Sequence, residues 1–156
     1  MEIRELTPEH MDSYRCLMLQ ALQEFPAIFV ESSEKDLHLD GDQFFGAFNA
    51  QGELIGAVGL RQERLPKWRH KGVIRGMYVM RRYQSSGAGR KLMEAALAYA
   101  RGVSGLEQLN LVVGEQNTGA RRLYESFGFR SFGVEPRELK VDGQYYDAVY
   151  MWLKLP

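Results

Sequence analysis

Apolar positions along the chain follow two rhythms, one of two residues and one of three to four, and the rhythm switches often. Residues 2–6 alternate polar and apolar and predict a first strand. Thr7-Pro8-Glu9 then supplies an N-cap with proline at the first helical position. The helix it opens is expected to run to about Phe25. Its apolar side carries Met11, Tyr14, Cys16, Leu17, Met18, Ala21 and Leu22, and Pro26 ends it. From 27 to 42 the pattern weakens. Ser32-Ser33-Glu34-Lys35-Asp36-Leu37 could start a short second helix, and the polar stretch as a whole suits a substrate-binding loop. Residues 43–49 and 53–61 predict two strands joined by the turn Asn49-Ala50-Gln51-Gly52. Gly56 and Gly59 in the second mark close packing or a bulge.

The centre of the chain is the most strongly patterned. Residues 73–79 are a short apolar run behind Gly72, read as a buried strand. From 87 to 101 a helix is predicted, with Ala88, Leu92, Ala95, Ala96 and Tyr99 on one face. Arg90, Lys91, Glu94 and Arg101 lie mostly on the other. Residues 107–113 form another buried strand, so strand, helix and strand predict a parallel pair joined by a right-handed crossover. Asn117 caps a helix over 118–127 whose stripe is Ala120, Leu123, Tyr124 and Phe127, and Gly128 stops it. A strand starts at 129–134. Residues 137–141 and 144–153 flank Asp142-Gly143, a two-residue hairpin signal. The expected fold class is α/β (α+β), a layered domain with a mixed sheet, and 1–156 reads as one domain.

Composition narrows the function. Twenty basic and twenty acidic residues give zero net charge, which argues against broad nucleic-acid binding. A single cysteine, Cys16, excludes a disulfide framework within the chain and points to a reducing, cytoplasmic setting. On its helix Cys16 reads as a small core residue. No apolar run reaches membrane-spanning length and Met1-Glu2-Ile3-Arg4 does not open a signal peptide, so no membrane partner is expected.

Candidate chemistry concentrates in the turn Gln84-Ser85-Ser86-Gly87-Ala88-Gly89. A helix N-terminus directs unpaired amides and the positive end of its dipole outward, and glycines let a bulky anion reach them. Arg81, Arg82, Arg90 and Lys91 add charge, although a tight strand-to-helix turn alone would account for Gly87 and Gly89 equally well. The spacing matches neither a P-loop nor a dinucleotide fingerprint, whose third small residue is Leu92 here.

The turn instead resembles the coenzyme A signature Gln/Arg-x-x-Gly-x-Gly/Ala of the GNAT superfamily of N-acetyltransferases. Met77-Tyr78-Val79 resembles the end of the preceding strand. Downstream, residues 117–129 are similar to the family's second motif, Asn-x-x-Ala-x-x-x-Tyr-x-x-x-Gly-Phe, at every fixed position. The two motifs, in order, span roughly 72–130, over a third of the chain. The resemblance implies a mostly antiparallel twisted sheet with helices on both faces and a splayed central parallel pair. It implies acetyl-CoA as cosubstrate and an amine as acceptor. It further implies that Met77, Tyr78 and Val79 pair by backbone with the pantetheine, and that Asn117 touches it. Gln84, Gly87, Ala88, Gly89 and Arg90 would hold the pyrophosphate, and the Tyr124 hydroxyl would serve the leaving sulfur as general acid.

The general base departs from the family pattern. Many relatives carry a Glu on the central strand, where this chain offers Arg75 and Gly76. His70 and Glu63 could act through water, with His10 and His38 as weaker candidates. Asp142-Gly143-Gln144-Tyr145-Tyr146-Asp147 followed by Met151 resembles the hairpin of members that acetylate small-molecule amines. The aromatic last strand could support a homodimer. Three rivals are a non-catalytic coenzyme-binding regulatory module, favoured by Gly76, a peptide or protein amine acetylase, and a nucleotide or phosphate binder. The match at 117–129 argues against the last. No metal site is expected.

Overall fold

A computed structural model describes residues 1–27 and 42–156. The expected short helix at 32–37 and His38 lie outside them. Among the described residues, three α-helices and seven strands follow in order: β1 (Glu2–Glu5), α1 (Met11–Glu24), β2 (Gln43–Phe48), β3 (Leu54–Gln62), β4 (Lys71–Val79), α2 (Ala88–Arg101), β5 (Gln108–Gly114), α3 (Thr118–Ser126), β6 (Arg130–Val141) and β7 (Gln144–Lys154). The strands form one sheet in the order β1-β2-β3-β4-β5-β7-β6. Every pairing is antiparallel except β4 with β5, the strands joined through α2.

Two cores cover the two faces. Ile55, Val58, Ile74, Leu109 and Met151 face α2, where they meet Leu92, Met93, Ala96 and Leu97; an extra residue in β3, between Leu54 and Gly56 in its pairing with β2, brings Ile55 and Val58 to the same face. Tyr124 of α3 and Phe129 join this cluster, with ring centroids 6.0 Å apart. Ala57 and Tyr78, together with Phe44 and Phe48, face the other way, onto Tyr14, Leu17, Met18 and Ala21 of α1. Phe44 stacks edge-on with Tyr14 at 5.1 Å and lies flat over Gly59, where an added Cβ would come within 2.5 Å of Phe44 Cε1. That glycine is there for close packing.

Two expectations change. Cys16 is exposed rather than in the core, because the buried stripe of α1 runs through Tyr14, Leu17, Met18 and Ala21 and leaves position 16 beside it. The segments expected at 129–134 and 137–141 are one strand, β6. Its pairing with β7 shifts between Glu135 and Leu139, so Pro136 sits in a bulge where no ladder bond is required of it.

Candidate active site

The site begins where the sheet fails to close. β4 and β5 pair only from Lys71↔Gln108 to Val73↔Asn110. Beyond that β4 runs on to Val79 and β5 to Gly114 with no pairing between them. On its other edge β4 stays with β3, but the register shifts between Ala57 and Gly59, and β4 carries one extra residue there. Gly76 takes φ +62 in this bulge, a conformation costly for any residue with a Cβ. Past the bulge, Gly56 faces Val79, and the neighbouring bond runs from Met80 N to Ile55 O. This makes Gly56↔Val79 a non-hydrogen-bonded pair, so the N–H and C=O of Val79 point away from β3, into the gap. Gln84 Nε2 donates to the Val79 carbonyl at 3.0 Å, which leaves the Val79 N–H as the open group.

The turn after β4 aims amides at the same gap. Ser85 (φ +72) and Gly87 (φ +90) are left-handed, and Gly87 caps α2. The first intrahelical bond is Lys91 N to Gly87 O, and Ser86 Oγ accepts from Ala88 N at 3.4 Å. Helix geometry directs the amides of Gly89 and Arg90 outward. A Cβ on Gly89 would lie 3.2 Å from Leu123 Cδ2 and 3.5 Å from Met77 Cε, so a larger residue there would fill the groove. Three of the four basic side chains expected at this site are engaged elsewhere. Arg82 pairs with Glu53 at 2.9 Å, Arg90 donates to Ser126 Oγ at 3.1 Å and lies over Phe127, and Arg81 lies over Phe25. Positive potential in the turn therefore comes mainly from backbone.

Six of the expected donor-site residues line one groove: Met77, Tyr78, Val79, Gln84, Gly89 and Asn117. Gly87, Ala88 and Arg90 belong to the turn at its end. Asn117 also caps α3, its Oδ1 accepting from Ala120 N at 3.3 Å. Tyr124 lies buried in the core cluster against which Met77, Val79, Ala120 and Leu123 pack. Among the described residues no partner is present for its hydroxyl. A second cavity of about 480 Å³ adjoins the groove and shares Phe25 and Asn117 with it. Sequence reasoning singled out one of its walls, the hairpin residues Tyr145, Tyr146 and Asp147, but not the cavity itself. Its walls come from the end of α1, the loop after β5, and the start of β7, and nothing in their local pattern ties them together.

The model of the acetyltransferase (GNAT) family matches residues 4–129. The chain belongs to that family. It is an acyltransferase whose acetyl donor is acetyl-CoA. Among curated proteins it is 32% identical to the N-alpha-acetyltransferase RimI of Mycobacterium tuberculosis, covering 85% of this chain and 81% of that protein. It is 28% identical to a spermidine N(1)-acetyltransferase of Vibrio cholerae, covering 79% of this chain and 69% of the relative. Among solved structures, the yncA protein of Salmonella typhimurium, determined with acetyl-CoA, superposes with a TM-score of 0.86 at 21% identity. The overlap covers 100% of this chain and 94% of that one. The mixed sheet, its splayed parallel pair and helices on both faces are thus the GNAT fold.

The donor groove of this GNAT chain fits the cosubstrate it needs: a slot open to backbone N–H groups, floored by a glycine and ending at a helix N-terminus. Its ionisable groups are placed as follows. Burial pushes the Tyr124 phenol well above its ordinary pKa, so it stays protonated. Burial, then the hydrogen bond to Glu24, pushes Tyr78 up as well. Tyr78 donates to Glu24 Oε2 at 2.7 Å, and that bond, with one from Gln20, holds the Glu24 carboxyl below its usual range.

The candidate bases near the strand's approach are at the wrong end. His70 and Glu63 flank the start of β4, where the His70 carbonyl accepts from Glu107 and Gln108 and the Glu63 N–H donates to Lys71. A nine-residue strand separates them from the turn, about 26 Å at about 3.3 Å per residue. Arg75 is bound to the buried Asp42 at 2.6 Å, and Asp42 also takes Arg61 at 2.9 Å. His10 is used locally, Nδ1 accepting from Thr7 N at 3.0 Å. Among the described residues no cluster of His, Cys, Asp and Glu is suited to a metal, and no helix is long and apolar enough to cross a membrane.

Proposed function

We propose that the protein transfers the acetyl group of acetyl-CoA to the primary amine of a small molecule by direct attack. The observation that carries this is the junction at Phe25 and Asn117, where a backbone-lined groove meets a separate, side-chain-lined cavity. One side takes the coenzyme arm and the other the amine. The cavity's size is that of a small-ligand site rather than of a long open cleft. In this reading Met77, Tyr78, Val79 and Asn117 hold the pantetheine. Gln84, Gly87, Ala88, Gly89 and Arg90 hold the pyrophosphate, chiefly through amides.

The neutral amine attacks the thioester carbonyl carbon and a tetrahedral intermediate forms. The open Val79 N–H polarises the carbonyl oxygen. As the C–S bond breaks, Tyr124 donates a hydrogen bond to the departing sulfur. A thiol has a pKa of about 8.5 and an ordinary phenol about 10. With the Tyr124 value raised further, complete proton transfer from it is uphill. The hydrogen bond stabilises the thiolate, and the proton lost by the acceptor nitrogen finally balances it. The amine reaches its neutral form through solvent in the cavity, since β4 places no carboxylate at this point.

Release of coenzyme A thiol in the presence of a panel of amines tests the reading. A protein that binds acetyl-CoA yet acetylates none would overturn it. The similarity to RimI motivates a second reading, acetylation of a peptide N-terminus. Turnover of peptides but of no free amine would select that one.

A further inference from the structure

Among the described residues, the charged side chains lining the acceptor cavity are all acidic. Its ionisable wall residues are Glu115 and Asp147, alongside the phenols Tyr145 and Tyr146. A smaller pocket continues it, sharing Tyr146 and Asp147 and adding Glu138. No lysine, arginine or histidine is among the described residues lining either. Two neighbouring cations lie over the Tyr145 ring rather than in the lining: the Arg137 guanidinium, 3.5 Å from the centroid, and Lys140 Nζ, 5.3 Å from it. An acceptor bearing a carboxylate or phosphate would meet three carboxylates here. A cation would meet those carboxylates and the Tyr146 ring.

We infer that the acceptor is an amine carrying a second positive charge, and that Asp147 is the residue that holds it. This rests on the amine-acetylation reading above. Asp147 is half-buried and borders both the cavity and its extension, so a charge held there lies in the same chamber as the reacting amine. Its carboxylate is fixed in advance. Oδ1 accepts from Arg137 N at 2.8 Å, and its main-chain carbonyl accepts from Glu115 N at 3.0 Å. Arg137 makes the first bond from the β6 bulge with φ +58, a conformation that a residue with a Cβ adopts at a cost. Of the two carboxylate oxygens, Oδ2 is left for a ligand. A carboxylate already oriented loses less entropy on receiving an ammonium than a freely rotating one.

The test compares propylamine with (3-aminopropyl)trimethylammonium, which has one acetylatable nitrogen and a fixed second charge. For the wild type, kcat/KM should be at least tenfold higher for the dication, mainly through KM. Asp147→Asn keeps an oxygen for the Arg137 N–H and should erase that preference. Its turnover of propylamine should fall far less than that of the dication, and its melting-temperature gain on adding acetyl-CoA should be unchanged. Should Asp147→Asn fold poorly, Glu138→Gln reads the same preference and should reduce it. A wild type that acetylates both amines equally overturns this inference alone. A uniform loss with both amines in a folded Asp147→Asn makes Asp147 structural and also overturns it. A wild type inert to every amine removes the reaction reading as well.

Discussion

The groove proposed for the donor and the cavity proposed for the acceptor meet at Phe25 and Asn117 but are made of different material. The groove has walls of mostly apolar side chains, and it offers a ligand chiefly backbone: the open N–H of Val79, the amides at the head of α2, and a glycine where a side chain would obstruct. The cavity is side chains: two carboxylates and two phenols brought from β5's end and β7's start. A ligand common to a whole family can be met by main-chain groups, which any sequence supplies once the turn is right. A ligand particular to one member needs side chains, and side chains can change without disturbing the turn. Substitutions on the two sides should therefore have separable effects.

The sharpest separation is expected at Tyr124. Tyr124→Phe should keep its packing on Phe129 and its affinity for acetyl-CoA, yet lose about 10²-fold or more in kcat, about 2.7 kcal/mol. Steady-state kinetics showing a change under about twofold would remove the hydroxyl from the chemistry. Next, Gly89→Val should weaken acetyl-CoA at least tenfold, because a side chain meets Leu123 and Met77. Calorimetry on the folded variant checks this, and unchanged affinity would break the groove assignment. Smaller again is Gln84→Ala, which frees the Val79 carbonyl and removes one hydrogen bond, about 1 kcal/mol or roughly fivefold in binding.

The pH profile sharpens the comparison from another side. Because burial raises the Tyr124 pKa, the phenol is protonated below about 10 and should impose no falling limb there. The rate should instead rise with pH as the acceptor amine loses its proton. A fall setting in between pH 7 and 9 would mean that another group supplies the hydrogen bond. The smallest effect should be Glu115→Gln on acetyl-CoA affinity, within about twofold, since Glu115 borders only the acceptor side.

The same division explains what could be read from the sequence. The strands and helices were legible because burial imposes a period, as in Leu92, Ala96 and Ala100 of α2. The turn and the cap proposed for the donor side could be picked out because each is a short local pattern. Gly87, Gly89 and the cap Asn117 stand at fixed spacings for geometric reasons. The use of the Gln84 side chain on the Val79 carbonyl could not, since a Gln five residues after a strand end has many possible partners. On the acceptor side only the hairpin through Asp147 stood out, because Glu115 reaches it through the pairing of β5 with β7 and Phe25 through the packing of the end of α1. The pairing of Glu24 with Tyr78, fifty-four residues apart, is hidden for the same reason. In β6, Pro136 interrupted the alternation and split one bulged strand into two on paper.

The short parallel seam has a mechanical meaning. Strands β1–β4 and β5–β7 are two half-sheets stitched by three facing residue pairs, 71–73 against 108–110. What keeps them together beyond that stitch is the packing of α2 and the core that both halves share. A coenzyme arm lying between the strands would bond to groups that a third neighbour would otherwise satisfy, acting as a removable strand. Ligand loading then becomes a zip. Amide exchange should slow first at the gap-facing Val79 and along the loose end of β5, and the slowing should spread into both half-sheets, because opening either one requires expelling the zip.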